Sequence, residues 1–443
     1  MKKKIAPIIF NCIFVLLCLI PVGGMALFGP SQSAANEVLA EAPGLEKKDG
    51  SWNESYLSDL SAWVSDRFFL RQELISVNNR LEAALFGVSG AEDVIVGTDG
   101  WLYYTPTLGD HTGTARMTPR QLYAAAKNLT LMAQYCREAG KDFVFAITPN
   151  KSTLYPEQMP FYGAAADSTN ASALLTLLAD TQVKTADLFA AFSAREEQLY
   201  FAHDSHWNSK GAALGADAIN AAFGIHTKYF ADDFANTQPH TGDLYEMLYP
   251  AFADPEEDPV YGGTLTYEFT GSGTRADSIT IETAGGGKGR LLAYRDSFGE
   301  LLFPYLADSA AQARFSRSVT YDLTLPADRV LIQLVERNLP YLITYPPVMP
   351  SPQVQIQLPA NTAGTAQCSI STRQTPEGTV KLTGTLPLQP DDRSDIYLLC
   401  GGSAYEAFCL DDGGYCAYIP ADANPEAVVF THAEMRLAYA LAQ

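Results

Sequence analysis

Residues 118–148 read TPRQLYAAAKNLTLMAQYCREAGKDFVFAIT, a helical pattern followed directly by a continuous apolar run. Thr118 and Pro119 are typical of a helix start, and Gly140 is typical of a helix end. The run DFVFAIT has the length of a strand, and its lack of polar alternation is typical of a strand buried on both faces. A helix that leads into such a strand predicts an α/β fold.

The same alternation continues along the chain. Helical patterns cover residues 171–180 and 208–223, and a short strand, LYFA at 199–202, lies between them. A strand that turns sharply into a helix begins at residue 290, and another apolar strand begins at residue 329. We therefore expect an α/β sandwich with a mainly parallel sheet.

Two further elements are predicted ahead of this region. Apolar residues at helical spacing predict one helix from about Ser58 to Phe86. The stretch VIVGTDGWLYY at residues 94–104 predicts a β-hairpin with Asp99 and Gly100 at its turn.

The length of 443 residues is too great for one typical core, so we expect two folded parts and an appendage. The composition divides the chain into an N-terminal segment at 1–28, a linker at 29–55, an α/β domain at 56–345 with a loop- and strand-rich insertion at 224–289, and a C-terminal region at 351–443. Short alternating segments in that last region predict a small β-domain of the sandwich type.

The N-terminal segment has the pattern of a membrane anchor. Three lysines, Lys2 to Lys4, precede an apolar run at residues 5–27 that is long enough to cross a bilayer as a helix. The basic flank should remain in the cytoplasm, which places the rest of the chain outside the cell membrane. We favour an uncleaved single-pass anchor, with cleavage after Ala35 as the alternative.

The charge balance restricts the partners of the exterior part. The chain has 50 acidic residues and 30 Lys and Arg residues, and three of those lysines belong to the anchor. Phosphate contacts need clustered Lys and Arg, so nucleic-acid binding is excluded. A neutral glycan or another protein is easier to accommodate on so acidic a surface.

Four cysteines lie in the C-terminal region: Cys368, Cys400, Cys409 and Cys416. Outside the cytoplasm they can form two disulfides, and three connectivities are open. Their spacing differs from that of a zinc ribbon. Cys136, alone in the first helical pattern, is expected to be a buried apolar side chain.

The first stretch whose residue types suit catalysis is YRDSFGE at residues 294–300. Ser297 follows a predicted strand and precedes a predicted helix, so its hydroxyl should lie at the carboxyl edge of the sheet. Backbone N–H groups at the helix start can stabilise an oxyanion there. The alternative is that Ser297 only caps the helix, a role that serine fills often.

The second stretch, FAHDSHWNSKGA at residues 201–212, supplies a base. Asp204 and His206 are two residues apart and should project to the same side, whereas His203 should project away and be structural. Serine needs a base to act as a nucleophile, and the base needs a group to orient it. A metal site formed by the two histidines and the aspartate is the weaker interpretation, because three ligands within four residues would crowd one ion. We expect no metal and no cofactor.

These motifs resemble the alginate O-acetyltransferase AlgJ/AlgX group of the SGNH hydrolase superfamily, in the variant known as DHHW proteins. The similarity covers about residues 50–345. The matching stretches are residues 204–207, residues 295–299, the hairpin at 94–104, TPNKSTLYPE at 148–157 and Gly242-Asp243-Leu244.

The resemblance implies an SGNH-hydrolase-like (flavodoxin-like) three-layer sandwich and assigns roles to three residues. Ser297 is the implied nucleophile, His206 the base and Asp204 the residue that orients the base. The Asp-His motif precedes the serine here, as it does in that group. Ser205 stands where the DHHW name implies a histidine, which weakens the subfamily label more than the triad.

Four residues next to these motifs are candidates for substrate binding or for an oxyanion site, namely Asn150, Lys151, Tyr294 and Arg295. Each also has an ordinary structural interpretation, such as a turn cap or an internal ion pair.

Two functions follow from the sequence. The first is an extracytoplasmic serine acyltransferase or esterase that acts on O-acetyl groups of a cell-surface or secreted polysaccharide, and the resemblance implies a membrane-bound O-acyltransferase as partner. The alternative is a catalytically inactive glycan-binding or scaffold protein of the cell envelope. Its support is the C-terminal region and the content of 23 tyrosines and four tryptophans.

Overall fold

The structure is a computed structural model that describes residues 2–31, 39–159, 162, 168–232, 234–359, 361–374 and 378–442. Part of the predicted linker, residues 32–38, lies outside the described residues, and so does the alternative cleavage position after Ala35.

The α-helices of the described residues are α1 (Lys2–Phe28), α2 (Tyr56–Ser65), α3 (Arg71–Phe86), α4 (Leu108–Thr112), α5 (Pro119–Glu138), α6 (Lys151–Leu154), α7 (Asn170–Leu178), α8 (Leu188–Ser193), α9 (Ser209–Ala222), α10 (Asp243–Leu248), α11 (Gly299–Asp308) and α12 (Tyr341–Thr344).

The strands are β1 (Val94–Val96), β2 (Leu102–Tyr104), β3 (Asp142–Thr148), β4 (Lys184–Ala186), β5 (Asn236–His240), β6 (Glu256–Val260), β7 (Tyr267–Phe269), β8 (Thr280–Gly285), β9 (Arg290–Tyr294), β10 (Gln312–Ser316), β11 (Arg329–Val335), β12 (Gln353–Val354), β13 (Thr362–Gln374), β14 (Thr379–Thr385), β15 (Tyr397–Cys400), β16 (Ser403–Glu406), β17 (Phe408–Cys409), β18 (Gly414–Pro420), β19 (Pro425–His432) and β20 (Met435–Ala442).

The central sheet has the strand order β4-β3-β11-β9-β10-β8-β7. The first five strands are parallel to one another, and β8 and β7 add antiparallel pairs at one edge. The predicted α/β fold with a mainly parallel sheet is therefore confirmed. The strands β7 and β8 come from the region at 224–289, so that region extends the sheet.

The prediction of a strand at residues 199–202 is wrong. Tyr200 forms an isolated bridge with Trp207 instead, and the strand that follows α7 is β4. The run is apolar because its side chains are buried below the site, where Leu199, Tyr200 and Phe201 are each at most 2% exposed. Burial alone does not distinguish a strand from a buried loop.

The helix and the buried strand predicted at residues 118–148 are both present, as α5 and β3. Thr118 caps α5 through a capping box with Gln121, which satisfies two N–H groups at the helix start. Along β3, Phe143, Phe145 and Ile147 pack in one core with α5, whereas Val144 and Ala146 pack in a second core with α9. Alternate side chains of a strand point to opposite faces, so both faces of the sheet are covered by helices.

The region ahead of the sheet confirms one prediction and corrects another. The strands β1 and β2 form the predicted hairpin, with Asp99 and Gly100 at positive φ. The single helix predicted at 58–86 is wrong, because α2 ends at Ser65 and α3 begins at Arg71. Leu70, between them, has a φ of 63°, a left-handed conformation that interrupts the helix.

Helix α1 contains the apolar segment Pro7–Phe28, whose 22 residues are long and apolar enough to cross a membrane. The ring of Phe28 stacks on Phe69 at 5.2 Å, close to the start of α3. An apolar helix at the N-terminus is a candidate single-pass anchor or a signal segment.

The C-terminal region is rich in β-structure, with the strand order β12-β16-β15-β19-β20-β13-β14-β18-β17. Its packing as a sandwich stays a prediction. The region contacts α5, where Asn128 donates its side-chain N–H to the carbonyl oxygen of Cys409 and accepts the Cys409 N–H. Lys127 and Glu406 form an ion pair at 2.6 Å beside these bonds.

The two expected disulfides are not formed, because Cys368, Cys400, Cys409 and Cys416 are free thiols. In the β17–β18 pair, Cys409 lies opposite Tyr415 and Cys416 lies opposite Phe408. Neighbouring positions of a strand pair face opposite sides of the sheet, so Cys409 and Cys416 cannot be bridged. Cys136 is fully buried, as expected.

Candidate active site

The turn from β9 to α11 is fixed by Asp296. One oxygen of its carboxylate accepts the backbone N–H of Phe298 at 3.1 Å, and the other accepts the backbone N–H of Val335 at 2.6 Å. Val335 ends the neighbouring strand β11, so the turn is tied to the sheet. Phe298 is the N-cap residue of α11 and no side chain caps this helix, which leaves the hydroxyl of Ser297 free for another partner.

The partner of Ser297 is His206. The Oγ atom of Ser297 lies 2.8 Å from Nε2 of His206, and Nδ1 of His206 lies 2.7 Å from Oδ1 of Asp204. The backbone N–H of His206 also donates to the same Asp204 oxygen, at 2.8 Å. A carboxylate only accepts hydrogen bonds, so Nδ1 carries the hydrogen and Nε2 offers its lone pair to the serine hydroxyl.

Helix α9 has a cap of its own. The side chain of Asn208 accepts the backbone N–H of Gly211 at 2.9 Å. Asp204 is therefore not the cap of this helix, and its carboxylate serves the imidazole.

Asp204 is buried and receives hydrogen bonds on both of its oxygens. Oδ2 accepts from Nε2 of His240 at 2.9 Å and from the backbone N–H of Asp243 at 3.0 Å. Gly242 permits this approach, since a Cβ at that position would lie 2.2 Å from the carbonyl oxygen of His203. The carboxylate is thus held from two sides.

Asp243 is a second carboxylate near the imidazole. It accepts the backbone N–H of Ser205 at 2.8 Å and the Ser205 hydroxyl at 2.7 Å. Its Oδ2 lies 3.6 Å from Nδ1 of His206, and Oγ of Ser205 lies 3.2 Å from the same nitrogen. Ser205, where the DHHW name implies a histidine, therefore contacts both Asp243 and the imidazole of His206.

The pKa values of these groups follow from their contacts. Burial raises the pKa of Asp204, but the charge of His206 and the hydrogen bonds outweigh it and hold that pKa well below its usual value. Burial lowers the pKa of His206, and the charge and hydrogen bond of Asp204 outweigh it and raise that pKa. Burial and the charge of Asp204 raise the pKa of Asp243. Asp204 is therefore the ionised member of this pair, and its charge makes the imidazole of His206 more basic.

Asp204, His206 and Asp243 also place possible ligand atoms within 4.8 Å of one another. The two Asp204 oxygens, Nδ1 of His206 and the Asp243 oxygens all have hydrogen-bonding partners within the site. The arrangement favours a hydrogen-bonded triad over a cation site.

The triad opens into a cleft of about 760 Å³. Its walls carry apolar groups, such as Tyr104 and Met247, and acidic groups, such as Asp93 and Asp277. Two arginines also line it. Arg317 is paired with Glu300 at 2.9 Å, whereas the guanidinium of Arg337 lies over the rings of Tyr104 and Phe298.

Four further residues predicted near the site do not line this cleft. Asn150 is fully buried and donates from its backbone to Glu336 and from its side chain to Asp110. Lys151 donates to three carbonyl oxygens, those of Leu102, Ala202 and Asp204, at 2.6 to 3.0 Å, and burial lowers its pKa to about 7.

The other two are Tyr294 and Arg295. The hydroxyl of Tyr294 donates to the carbonyl oxygen of Asp322, below the sheet edge. Arg295 donates to the carbonyl oxygens of Ala276 and Ser278. Both contacts are structural, and Lys151 supports the site indirectly because it holds the backbone of Asp204.

His203 is half-buried and points away from the triad. Its Nδ1 lies 3.2 Å from the carbonyl oxygen of Asp254, and its ring lies against Tyr245. The structure therefore places it where the sequence predicted it, outside the triad.

Sequence reasoning missed His240 and Arg337 as parts of the site, and it noted Asp243 only as a matching residue. His240 reaches Asp204 across 36 residues, from the end of β5. No local spacing indicates such a contact. The one available signal is the rarity of histidine, since the chain has only six.

Residues 94–265 match the family model described as "SGNH hydrolase-like domain, acetyltransferase AlgX". The predicted resemblance is confirmed. The matched range contains Asp204, His206, His240 and Asp243 and ends before Ser297.

The chain is 26% identical over 257 residues to the "Probable alginate O-acetylase AlgJ" of Pseudomonas syringae pv. tomato. This alignment covers 54% of the chain and 59% of that relative, so the chain spans about three fifths of its length.

The solved structures similar to this chain include two proteins, from Pseudomonas putida and Bacillus cereus. The O-acetyltransferase domain of Pseudomonas putida AlgJ has 18% identity and a TM-score of 0.37, with 56% of this chain and 91% of that chain covered. PatB1 of Bacillus cereus has 17% identity and a TM-score of 0.40, with 56% and 96% covered.

Proposed function

We propose that the chain is a serine O-acetyltransferase or acetylesterase that acts on O-acetyl groups of a cell-surface or secreted polysaccharide. The observation that carries the proposal is the line of hydrogen bonds from Ser297 through His206 to Asp204, at 2.8 and 2.7 Å. Such a line is what a serine needs in order to react, because the hydroxyl is a weak nucleophile until a base takes its proton.

In the first half-reaction, Oγ of Ser297 forms a bond to the acetyl carbon while Nε2 of His206 takes the hydroxyl proton. The bond from the acetyl carbon to the donor oxygen then breaks, and His206 returns the proton to that oxygen. Asp204 stays ionised and stabilises the imidazolium that exists between these two transfers. The product is an acetyl-Ser297 ester.

In the second half-reaction a sugar hydroxyl attacks the ester and gives its proton to His206. The bond between the acetyl carbon and Oγ of Ser297 breaks, and the proton passes to Oγ. Water in place of the sugar gives hydrolysis by the same steps. Exclusion of water from the cleft by a bound glycan chain would favour transfer.

The oxyanion of each step needs donors. The N–H groups of Phe298, Gly299 and Glu300, at the start of α11, already donate to Asp296 and to the Ser297 carbonyl. We therefore assign the oxyanion to the N–H of Ser297 itself and to the positive charge of Arg337. In support, the charge of Arg337 reaches the imidazole, where it opposes the rise in the pKa of His206.

The polysaccharide substrate is inferred from the relatives, one of which is named an alginate O-acetylase. The names of the relatives also suggest transfer of an acetyl group rather than hydrolysis. For transfer, the acetyl group must reach the outer side of the membrane. We therefore infer a membrane-bound O-acyltransferase as partner, with α1 as a single-pass anchor and the domain limits given above, 56–345 for the catalytic part and 351–443 for the C-terminal part.

The alternative, an inactive glycan-binding protein, has less support. Sugar binding by stacking needs exposed aromatic rings. Within the described part of residues 351–443, the exposed large apolar side chains are Leu358, Leu388 and Met435, none of which is aromatic. Of the aromatic side chains there, Phe408, Tyr415, Tyr418 and Phe430 are buried, and Tyr397, Tyr405 and Tyr439 are half-buried.

The test is the turnover of an activated acetyl ester by the full chain in detergent, with the variants Ser297→Ala and Ser58→Ala. Ser58 is exposed on α2, so its variant controls for the loss of a hydroxyl. We expect Ser297→Ala to lose turnover and the acetyl-enzyme seen by mass spectrometry, while Ser58→Ala keeps both. Equal turnover in the two variants would remove Ser297 from the mechanism. Addition of acetylated and unacetylated oligosaccharides then separates transfer from hydrolysis by the mass of the product.

A further inference from the structure

His240 is the one histidine of the site that the proposed reaction leaves unused. It ends β5, opposite Glu256 of β6, and its ring stacks on Phe201 with a centroid distance of 4.0 Å. Its Nε2 lies 2.9 Å from Oδ2 of Asp204, on the side opposite to His206. Asp204 thus lies between two imidazoles, one on each carboxylate oxygen.

The tautomer of His240 follows from this contact. A carboxylate accepts hydrogen bonds and cannot donate them, so Nε2 of His240 carries a hydrogen in both its neutral and its charged form. That hydrogen bond, together with the N–H of Asp243, prevents the carboxylate from turning about its own axis. The oxygen that faces His206 is therefore kept in line with Nδ1.

We propose that His240 is a positioning residue of this site, which holds Asp204 in line with His206 and whose charge sets the strength of His206 as a base. This inference rests on the proposed roles of Ser297 and His206. It concerns how the base is controlled, and it is independent of the substrate.

The surroundings of His240 favour its charged form. The acidic groups that face it are Asp204 from the loop before α9, Glu256 and Asp258 from β6 and Glu246 from α10. Burial lowers the pKa of His240, but Asp204 and the other acidic groups outweigh it and raise that pKa. A charged His240 draws on the same carboxylate as His206 and so reduces the attraction that makes His206 a strong base.

Removal of this charge should therefore raise the pKa of His206. The reaction needs neutral His206, so activity falls as pH decreases through that pKa. In His240→Gln, whose amide can still donate to Asp204, we expect the maximal rate to stay within about threefold of wild type and the acid limb to move to higher pH. In His240→Phe, which keeps the stacking on Phe201 but has no donor, we expect a maximal rate lower by roughly 10- to 100-fold, because the base is misplaced.

The measurement is the pH dependence of Ser297 labelling by phenylmethylsulfonyl fluoride, in the full chain and followed by mass spectrometry. In that step Oγ of Ser297 bonds to sulfur, fluoride leaves, and His206 takes the proton, so the readout needs no acetyl donor or glycan. The matched control is His203→Gln, since His203 is a neighbouring histidine that contacts a backbone carbonyl and no member of the triad. Its profile should equal that of wild type.

A shifted acid limb in His240→Gln, with wild-type behaviour in His203→Gln, supports the inference. An acid limb unchanged in His240→Gln overturns it while the proposed function stands. A wild-type chain that is never labelled at Ser297 overturns both. Melting temperatures show whether each variant folds, and if His240→Phe does not fold, the profile of His240→Gln decides alone.

Discussion

The indole N–H of Trp207 donates to the carbonyl oxygen of Phe298 at 3.1 Å and joins the segment that carries His206 to the turn that carries Ser297. Trp207 is fully buried, with its ring stacked on Phe192 and edge-on to Phe298. The two segments are 91 residues apart in sequence, so this bond helps to hold His206 and Ser297 next to each other.

The variant Trp207→Phe tests that relationship. It keeps an aromatic ring but leaves the carbonyl oxygen of Phe298 without its donor. We expect unfolding in urea to require about 1–3 kcal/mol less free energy. We also expect the maximal rate of acetyl-ester turnover to fall by roughly 10- to 100-fold, because small displacements of a base are costly.

The control for this variant is Trp52→Phe, since Trp52 is exposed and far from the site in sequence. Both the unfolding free energy and the rate should remain close to wild type. Wild-type values for Trp207→Phe as well would show that the bond to Phe298 does not position the base.

Asp204→Asn distinguishes an orienting carboxylate from a helix cap. An amide carries no negative charge, and its NH2 group faces a donor in either orientation: Nδ1 of His206 on one side, or Nε2 of His240 and the Asp243 N–H on the other. We expect the turnover rate to fall by up to about 10⁴-fold, the loss seen for the equivalent change in a serine protease.

Asp187→Asn is the matched control, because Asp187 is the exposed N-cap residue of α8, its carboxylate accepts the backbone N–H of Ala190, and Asn caps a helix about as well as Asp. Its turnover and its circular dichroism should equal those of wild type. If Asp204→Asn were as active as Asp187→Asn, the triad would be excluded and Asp204 would have only a structural role.

The parts of this site that the sequence predicts are those encoded by short spacings. Asp204 and His206 are two residues apart, and Ser297 follows a strand whose apolar run is easy to identify. The helix-then-strand unit at 118–148 is equally local, because its cap, its periodicity and its strand are contiguous.

The parts that the sequence does not predict depend on contacts between distant segments. His240 contacts Asp204 only because the β5–β6 pair folds over the site, and nothing near position 240 encodes that approach. Lys151 has the pattern of an exposed cation at a strand end, yet three carbonyl oxygens bind it in the interior. The break between α2 and α3 at Leu70 is also not encoded locally, because apolar residues continue at helical spacing through it.

Glu336 predicts how the stability of the fold depends on pH. It is buried at the end of β11, where one of its oxygens accepts the N–H of Asn150 and the hydroxyl of Thr153 at 2.5 Å. Burial raises its pKa from 4.5 to about 7. Between these two values the folded chain holds a proton that the unfolded chain has released, so the free energy of unfolding falls as pH rises through this window and is level above it.

The contribution of Glu336 is the difference in the free energy of unfolding between wild type and Glu336→Gln. The other titrating groups contribute equally to both proteins and cancel in this difference. An amide cannot ionise, so the free energy of unfolding of the variant lacks the decline that Glu336 causes. Between pH 4.5 and pH 8 the variant should therefore become more stable relative to wild type by up to about 3 kcal/mol. Urea unfolding at those two pH values measures the gain. The variant Glu138→Gln, at an exposed position at the end of α5, should follow wild type at both. A difference between Glu336→Gln and wild type that does not change with pH would show that Glu336 is ionised in the folded chain throughout, with its charge stabilised by Asn150 and Thr153.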